Sequence, residues 1–85
     1  MSENDCGRDV ANYIINEVDE ERIKLPDDIR LKYLSDKLGY TPHLIGRAHD
    51  YNITRLLKQK GIISRKCGTP RRLQLSRMDS DSSKS

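Results

Sequence analysis

DIRLKYLSDKLGYTP, at residues 28–42, is the stretch that decides the fold of this chain. Its leucines recur at the spacing of one helical face, which predicts a helix over Asp28–Leu38 with Asp27 or Asp28 as its N-cap. Gly39 is typical of the residue that ends a helix, and Thr41-Pro42 is typical of an N-cap followed by proline in the first turn. Two helices joined by a tight turn are therefore predicted.

The helix that follows this turn, His43–Lys60, has two opposed faces. Counting about 100° per residue places a polar group within about 80° of arc. Its members are His43, Arg47, Asp50, Thr54 and Lys58, and Leu44, Ile45, Ala48 and Leu56 lie on the far side. Ile53 and Leu57 do not fit that apolar face, and Asn52 could cap a second helical piece. A kink or break at residues 50–52 therefore stays open.

GIISRKCGTPRRLQL, at residues 61–75, predicts a hairpin. Ile62-Ile63 begins one strand, and Leu73 and Leu75 alternate with polar residues in its partner. Gly68 and Pro70 mark the loop between the strands. Ile23 and Leu25 could form a further short strand that adds to this hairpin.

The two ends of the chain frame a single domain at residues 8–76. Residues 1–7 lack periodicity and are predicted to be a flexible tail. From Arg8, apolar residues at helical spacing predict helix 1, which should fray at the acidic cluster Asp19-Glu20-Glu21. Residues 77–85 are rich in serine and have no apolar face, which predicts a disordered tail.

This order of elements resembles the winged helix-turn-helix family, whose hairpin forms the wing. The resemblance implies a mainly α fold with a small antiparallel sheet (α+β), in the order helix 1, strand 1, helix 2, helix 3, strand 2, wing and strand 3 (α1-β1-α2-α3-β2-wing-β3). It also implies that helix 3 is a recognition helix that enters the major groove of DNA.

Composition limits the function further. The chain has 85 residues and no Phe or Trp, so its core is thin and self-association would help to stabilise it. No apolar run approaches the length of a membrane span, and no signal segment is visible, so we expect an intracellular protein without membrane contact. Cys6 and Cys67 stand alone, and His43 and His49 diverge on a helix, so we expect no metal and no cofactor.

Charge divides the chain into two halves. Residues 1–42 hold six Lys or Arg against ten Asp or Glu, whereas residues 43–85 hold ten against three. A one-sided basic half predicts a polyanionic partner, and nucleic acid is the commonest one inside cells. The alternative is that the surface cations only increase solubility.

The resemblance assigns two groups of DNA-binding residues. Arg47 is the best candidate to read a base, because a guanidinium can bond guanine O6 and N7 together, and Gly46 would permit a close approach of the backbone. The recognition-helix group is Thr41, His43, Arg47, Asp50 and Arg55, and the wing group is Arg65, Lys66, Arg71 and Arg72. Four cations around a short loop repel one another, so a bound phosphate would relieve that cost. The alternatives are solvated surface residues and a hairpin whose charge protects an edge strand.

Catalysis has little support in the sequence. His49 and Asp50 are neighbours that should not converge on a nucleophile, and no Gly-rich phosphate loop is present, so we do not expect an enzyme. The four tyrosines are expected to be half-buried and not to stack on bases.

The function predicted from the sequence is duplex DNA binding, as a small transcriptional regulator or a chromosome- or plasmid-associated factor. The alternatives are a winged-helix module that binds proteins and a binder of structured RNA. A homodimer on DNA is a further expectation, and the acidic helix 1 half could dock a protein partner.

Overall fold

The computed structural model describes residues 3–68 and 71–78. The elements are α1 (Glu3–Asp19), β1 (Asp27–Arg30), α2 (Leu31–Leu38), α3 (Pro42–Ala48), a π-helical turn (His49–Ile53), α4 (Thr54–Lys58), β2 (Ile62–Cys67) and β3 (Arg72–Arg77). They form a small α+β domain with a three-stranded antiparallel sheet, which confirms the coarse fold class.

The sheet has the strand order β1-β3-β2, so β3 is central and pairs with both neighbours. Residues that lie opposite each other share a face of the sheet. Leu73 and Leu75 on the inner face are buried, and their partners on that face include Ile29 and Ser64. Side chains on the other face, such as Arg65 and Gln74, are exposed.

Strand β1 joins the hairpin as predicted, but at Asp27–Arg30 and not at Ile23 and Leu25. The backbone N–H of Ile23 donates to the carbonyl of Glu17 at 3.1 Å, so this residue closes the end of α1. Ile29 takes the buried strand position because it lies opposite Leu73.

Helix α2 begins at Leu31, so its predicted first residues belong to β1. Its N-cap is Arg30, which makes no side-chain cap, and the predicted caps Asp27 and Asp28 are strand residues. The end of the helix and the turn follow the prediction. Gly39 has the left-handed backbone with φ 83°, and Thr41 Oγ1 accepts a hydrogen bond from Leu44 N at 3.1 Å.

Both predicted tails are shorter than expected where the structure describes them. Helix α1 begins at Glu3, so residues 3–7 are helical, and Cys6 and Gly7 are buried. At the other end β3 continues to Arg77, which lies opposite Ile62. Residues 79–85, predicted to be disordered, lie outside the described residues, as do Thr69 and Pro70 of the hairpin loop.

The helix after the turn contains a π-helical turn at His49–Ile53, which spans residues 50–52, where the sequence left a kink or break open. It passes from α3 into the π-turn and on into α4 with α-helical dihedral angles at Ala48, His49, Ile53 and Thr54. The N–H of Thr54 donates to the carbonyl of His49, which is the i→i+5 bond that defines a π-turn. Asn52 does not cap a helix, because its amide is buried and donates to Asn4 Oδ1 at 3.3 Å.

One apolar core lies between the helices and the inner face of the sheet. Helix α1 packs across α3, the π-turn and α4, and α4 also contacts β2. The core residues with almost no exposed surface include Cys6, Val10, Ala11, Ile14, Leu31, Leu34, Ile45, Ala48, Ile53, Leu57, Leu73 and Leu75.

Candidate nucleic-acid interface

One face of the helical segment 42–58 carries exposed residues at every fourth position. We call this face the helix stripe, and its members are His43, Arg47, Tyr51 and Arg55. Three of them belong to the predicted recognition-helix group. Tyr51 does not, and its side chain is 59% exposed.

Two residues of the predicted group have other roles in the structure. Thr41 caps α3, so its hydroxyl oxygen already accepts a hydrogen bond from the helix backbone. Asp50 lies beside the helix stripe and contacts the hairpin, because Lys66 Nζ donates to its Oδ2 at 2.9 Å. That hydrogen bond lowers the pKa of the Asp50 carboxyl below its ordinary value.

The close approach predicted at Gly46 is made by the hairpin. Lys66 Nζ donates to the Gly46 carbonyl at 3.1 Å, and Arg71 Nη1 lies 3.6 Å from the point where a Cβ of Gly46 would be. The residue is buried beneath these side chains, which prevents the close approach of DNA to its backbone that was expected from the sequence. We call Lys66 and Arg71 the hairpin pair.

The predicted wing cations therefore divide between two sides of the sheet. The hairpin pair lies against α3. Arg65 and Arg72 occupy outer-face positions, opposite Gln74 and Cys67 respectively. The structure thus brings only half of the predicted wing group to the helix.

Two of the four wing cations are balanced by carboxylates of the chain itself. Lys66 is paired with Asp50, and Arg72 Nε lies 2.8 Å from Asp28 Oδ2, an ion pair without hydrogen-bond alignment. The carboxylates of Asp50 and Asp28 thus relieve part of the repulsion between the four cations, a role that the sequence had suggested for a bound phosphate. Arg65 and Arg71 are the exposed members of the group.

His49 converges on a serine, contrary to the expectation from sequence. Its Nε2 lies 2.8 Å from Ser64 Oγ, and its Nδ1 lies 3.5 Å from Asp50 Oδ1. Thr54 Oγ1 donates to the His49 carbonyl at 2.7 Å, which links the first residue of α4 to the π-turn. Burial lowers the pKa of His49, because desolvation disfavours the charged imidazolium.

This serine–histidine contact has no access for a substrate. His49 and Ser64 are each only 5% exposed, and Ser64 lies within strand β2 against the core. Because the hydroxyl must be reached by the group it attacks, the arrangement lacks what nucleophilic catalysis requires. The contact instead links the π-turn to the hairpin.

The tyrosines differ from the expectation of uniform half-burial. Tyr40 is buried with its hydroxyl donating to Asp9, which raises its pKa to about 12, and Tyr13 is half-buried. Tyr33 and Tyr51 are exposed. Sequence reasoning missed Tyr51 because every tyrosine was expected to be half-buried, and because an unbroken α-helix would place Tyr51 about 80° around the axis from His43. The sign of the π-turn in the sequence was that Ile53 and Leu57 do not fit the apolar face of an unbroken α-helix.

Several exposed acidic side chains lie on α1 and just beyond its C-terminal end. Asp9, Asp19, Glu20 and Glu21 are exposed on α1 and at its C-terminal end. Helix α1 packs against the buried face of the segment 42–58, so its exposed surface points away from the stripe.

Three findings complete the description. Within residues 3–68 and 71–78, no group of three His, Cys, Asp or Glu side chains could hold a metal ion. None of the helices in that part of the chain has the length and hydropathy needed to cross a bilayer. No family model, curated protein or solved structure matches the chain.

Proposed function

We propose that this domain is a winged helix-turn-helix that binds duplex DNA through the helix stripe and the hairpin pair. The capped turn between α2 and α3 supports the proposal, as does a basic hairpin that continues directly from α4. In this proposal α3 and the π-turn face the major groove, and Arg47 is the base-reading residue. A DNA-binding role implies that the protein acts inside the cell.

The observation that carries the proposal is the contact of the hairpin with α3 at Gly46. Lys66 Nζ lies 3.1 Å from the Gly46 carbonyl, and Gly46 directly precedes Arg47 of the helix stripe. Cations from two separate elements therefore flank one helix face. Such a surface suits a duplex, whose phosphates run along both edges of the groove.

A binding role is also favoured over catalysis. The buried imidazole of His49 is enclosed with Ser64 and serves the contact between the π-turn and β2. The proposed surface is formed by exposed, mostly cationic side chains of a helix and a hairpin, which suits a macromolecular polyanion more than a small substrate.

A competition experiment tests the proposal. Binding of a fluorescently labelled mixed-sequence DNA duplex would be measured at two salt concentrations against unlabelled duplex DNA, a structured RNA and a neutral protein mixture. We expect duplex DNA to compete best and the added salt to weaken binding. Preferential competition by RNA would move the function to structured RNA, and absence of DNA binding would favour the protein-interaction alternative.

Self-association on DNA remains part of the proposal. One recognition helix reads few base pairs, and a two-fold dimer would double the readout with half-sites about 10 base pairs apart. The acidic surface of α1 is the candidate interface, for a second copy or another protein, because it would avoid DNA. Sedimentation with and without duplex DNA would distinguish a dimer from a one-to-one complex.

A further inference from the structure

Tyr51 is the most exposed large apolar side chain among the described residues, at 59%. A single exposed aromatic residue is common on protein surfaces and implies little by itself. The position of Tyr51 is more informative than its exposure, because the residue lies in the helix stripe between Arg47 and Arg55.

The π-turn is what aligns these three residues. An unbroken α-helix turns about 100° per residue, so Arg55 would lie about 80° around the axis from Arg47. A π-turn takes one more residue into a turn, which reduces this rotation to roughly 15°. The i→i+5 bond from Thr54 N to the His49 carbonyl places that extra residue between the two arginines.

The buried face shows the same spacing. Ile45, His49, Ile53 and Leu57 recur at every fourth position and are all buried. In an unbroken α-helix the first and last of them would be about 120° apart. The π-turn therefore keeps one straight apolar face on α1 and, opposite to it, one straight exposed face.

The π-turn is also held from outside the helix. His49 Nε2 contacts Ser64 Oγ, and Asp50 Oδ2 accepts from Lys66, so two consecutive residues of the turn are bound to strand β2. The hairpin thus stabilises the π-turn that brings Arg55 into line with Arg47 and Tyr51. The alignment is built into the fold and does not depend on the stripe residues themselves.

We propose that Tyr51 is a further contact residue for duplex DNA, with its ring against the sugar–phosphate edge of the groove and its hydroxyl donating to a phosphate. This inference rests on the proposed function. An aromatic ring with a polar tip suits such an edge, which is apolar at the sugar and charged at the phosphate. Arg47 and Arg55 on either side supply the attraction that brings the backbone to the ring.

The absence of tryptophan from the chain permits a direct test. Tyr51→Trp introduces a single indole at the proposed contact, and Tyr33→Trp introduces one at the other exposed tyrosine, on α2. Each variant would be titrated with a mixed-sequence DNA duplex in low salt. Indole emission reports contact at that position, and the anisotropy of the labelled duplex reports binding independently.

We expect quenching of the indole at position 51 on saturation and little change at position 33. Tyr51→Ala should weaken duplex binding about tenfold, as truncation of a central interface tyrosine does, while Tyr33→Ala should bind like the wild type. Tyr51→Phe should fall between the two. Circular dichroism would verify that each variant is folded.

Two results would overturn the inference in distinguishable ways. Duplex binding by anisotropy, without a signal at position 51 and with unchanged affinity of Tyr51→Ala, would remove Tyr51 from the interface and leave the proposed function standing. Absence of an anisotropy change for every protein, wild type included, would reject the proposed function and this inference together.

Discussion

Gly7 of α1 and Gly46 of α3 are both helical glycines that face another element, but their surroundings differ. A methyl group built on Gly7 would lie 1.7 Å from Asn52 Oδ1, whereas one built on Gly46 would lie 3.6 Å from Arg71 Nη1. The first distance is a severe overlap. The second is an ordinary van der Waals contact with the end of a long, exposed side chain.

The difference separates two sides of the helical segment 42–58. On the α1 side, Asn52 is buried and its amide donates to Asn4, so the contact has a fixed shape. On the hairpin side, the neighbours of Gly46 are the charged ends of Lys66 and Arg71, and Leu31 Cδ1 lies 3.9 Å from the built methyl position. One side supports the fold, and the other presents an adaptable cationic surface.

The largest effect is expected for Gly7→Ala. Alanine favours helix by about 1 kcal/mol over glycine, but the overlap with Asn52 should cost up to about 3 kcal/mol, giving a net loss of about 1–2 kcal/mol in the free energy of unfolding. Urea denaturation followed by circular dichroism would measure it. A stability equal to or above that of the wild type would contradict a fixed contact on the α1 side.

A double-mutant cycle gives the control for this substitution. Asn52→Ala removes the overlapping atoms, so adding it to Gly7→Ala should cost less than the sum of the two single losses. Strict additivity would mean that Gly7 acts through something other than Asn52.

The turn between α2 and α3 was predictable from sequence because its signals are local. Gly39, Thr41 and Pro42 act on their own backbone and their near neighbours, and the structure confirms the end of α2 and the cap of α3. Strand β1 was misplaced because its position depends on pairing with β3, which is distant in sequence. The only indication of the π-turn in the sequence was that Ile53 and Leu57 do not fit the predicted apolar face.

The candidate site was predictable in its charge but not in its pairing. The sequence shows where the cations are, yet the division of the wing group depends on strand alternation in the hairpin. The pairs Lys66–Asp50 and Arg72–Asp28 bring together residues far apart in the chain. Neither could be found without the position of the hairpin against α3 and of β1 against β3.

The next largest effect expected is on the pH dependence of the free energy of unfolding, through His49 at the contact between the π-turn and β2. Burial lowers the pKa of His49 in the folded state, so the unfolded chain takes up the proton first as pH falls below about 6.5. The free energy of unfolding should therefore be fully maintained above that pH and should decrease below it. His49→Gln should lose most of this dependence, and an identical profile in both proteins would assign it to other groups.

A smaller effect distinguishes the two sides of the hairpin. Arg71→Ala removes a cation that lies against α3, and Arg65→Ala removes one from the outer face of the sheet. The first should weaken duplex binding and reduce the salt slope by about 0.9, and the second should change neither. Equal losses in both variants would show that the whole hairpin, and not its helix side, meets DNA.

The smallest effect is expected for Gly46→Ala, the counterpart of the first substitution. The added methyl fits without overlap and favours the helix, so stability should rise by up to about 1 kcal/mol. Urea denaturation beside Gly7→Ala compares the two sides directly. A clear loss of stability would show that the hairpin contact is as fixed as the one on the α1 side.

The salt dependence of duplex binding tests the central claim most directly. If three to five exposed cations, including Arg47, Arg55 and Arg71, reach phosphates, the logarithm of the binding constant should fall with that of salt with a slope of about −3 to −4.5. The measurement needs only the wild-type chain, a mixed-sequence duplex and a series of salt concentrations. A slope near zero, or no detectable binding by the folded protein in low salt, would contradict a DNA-binding function.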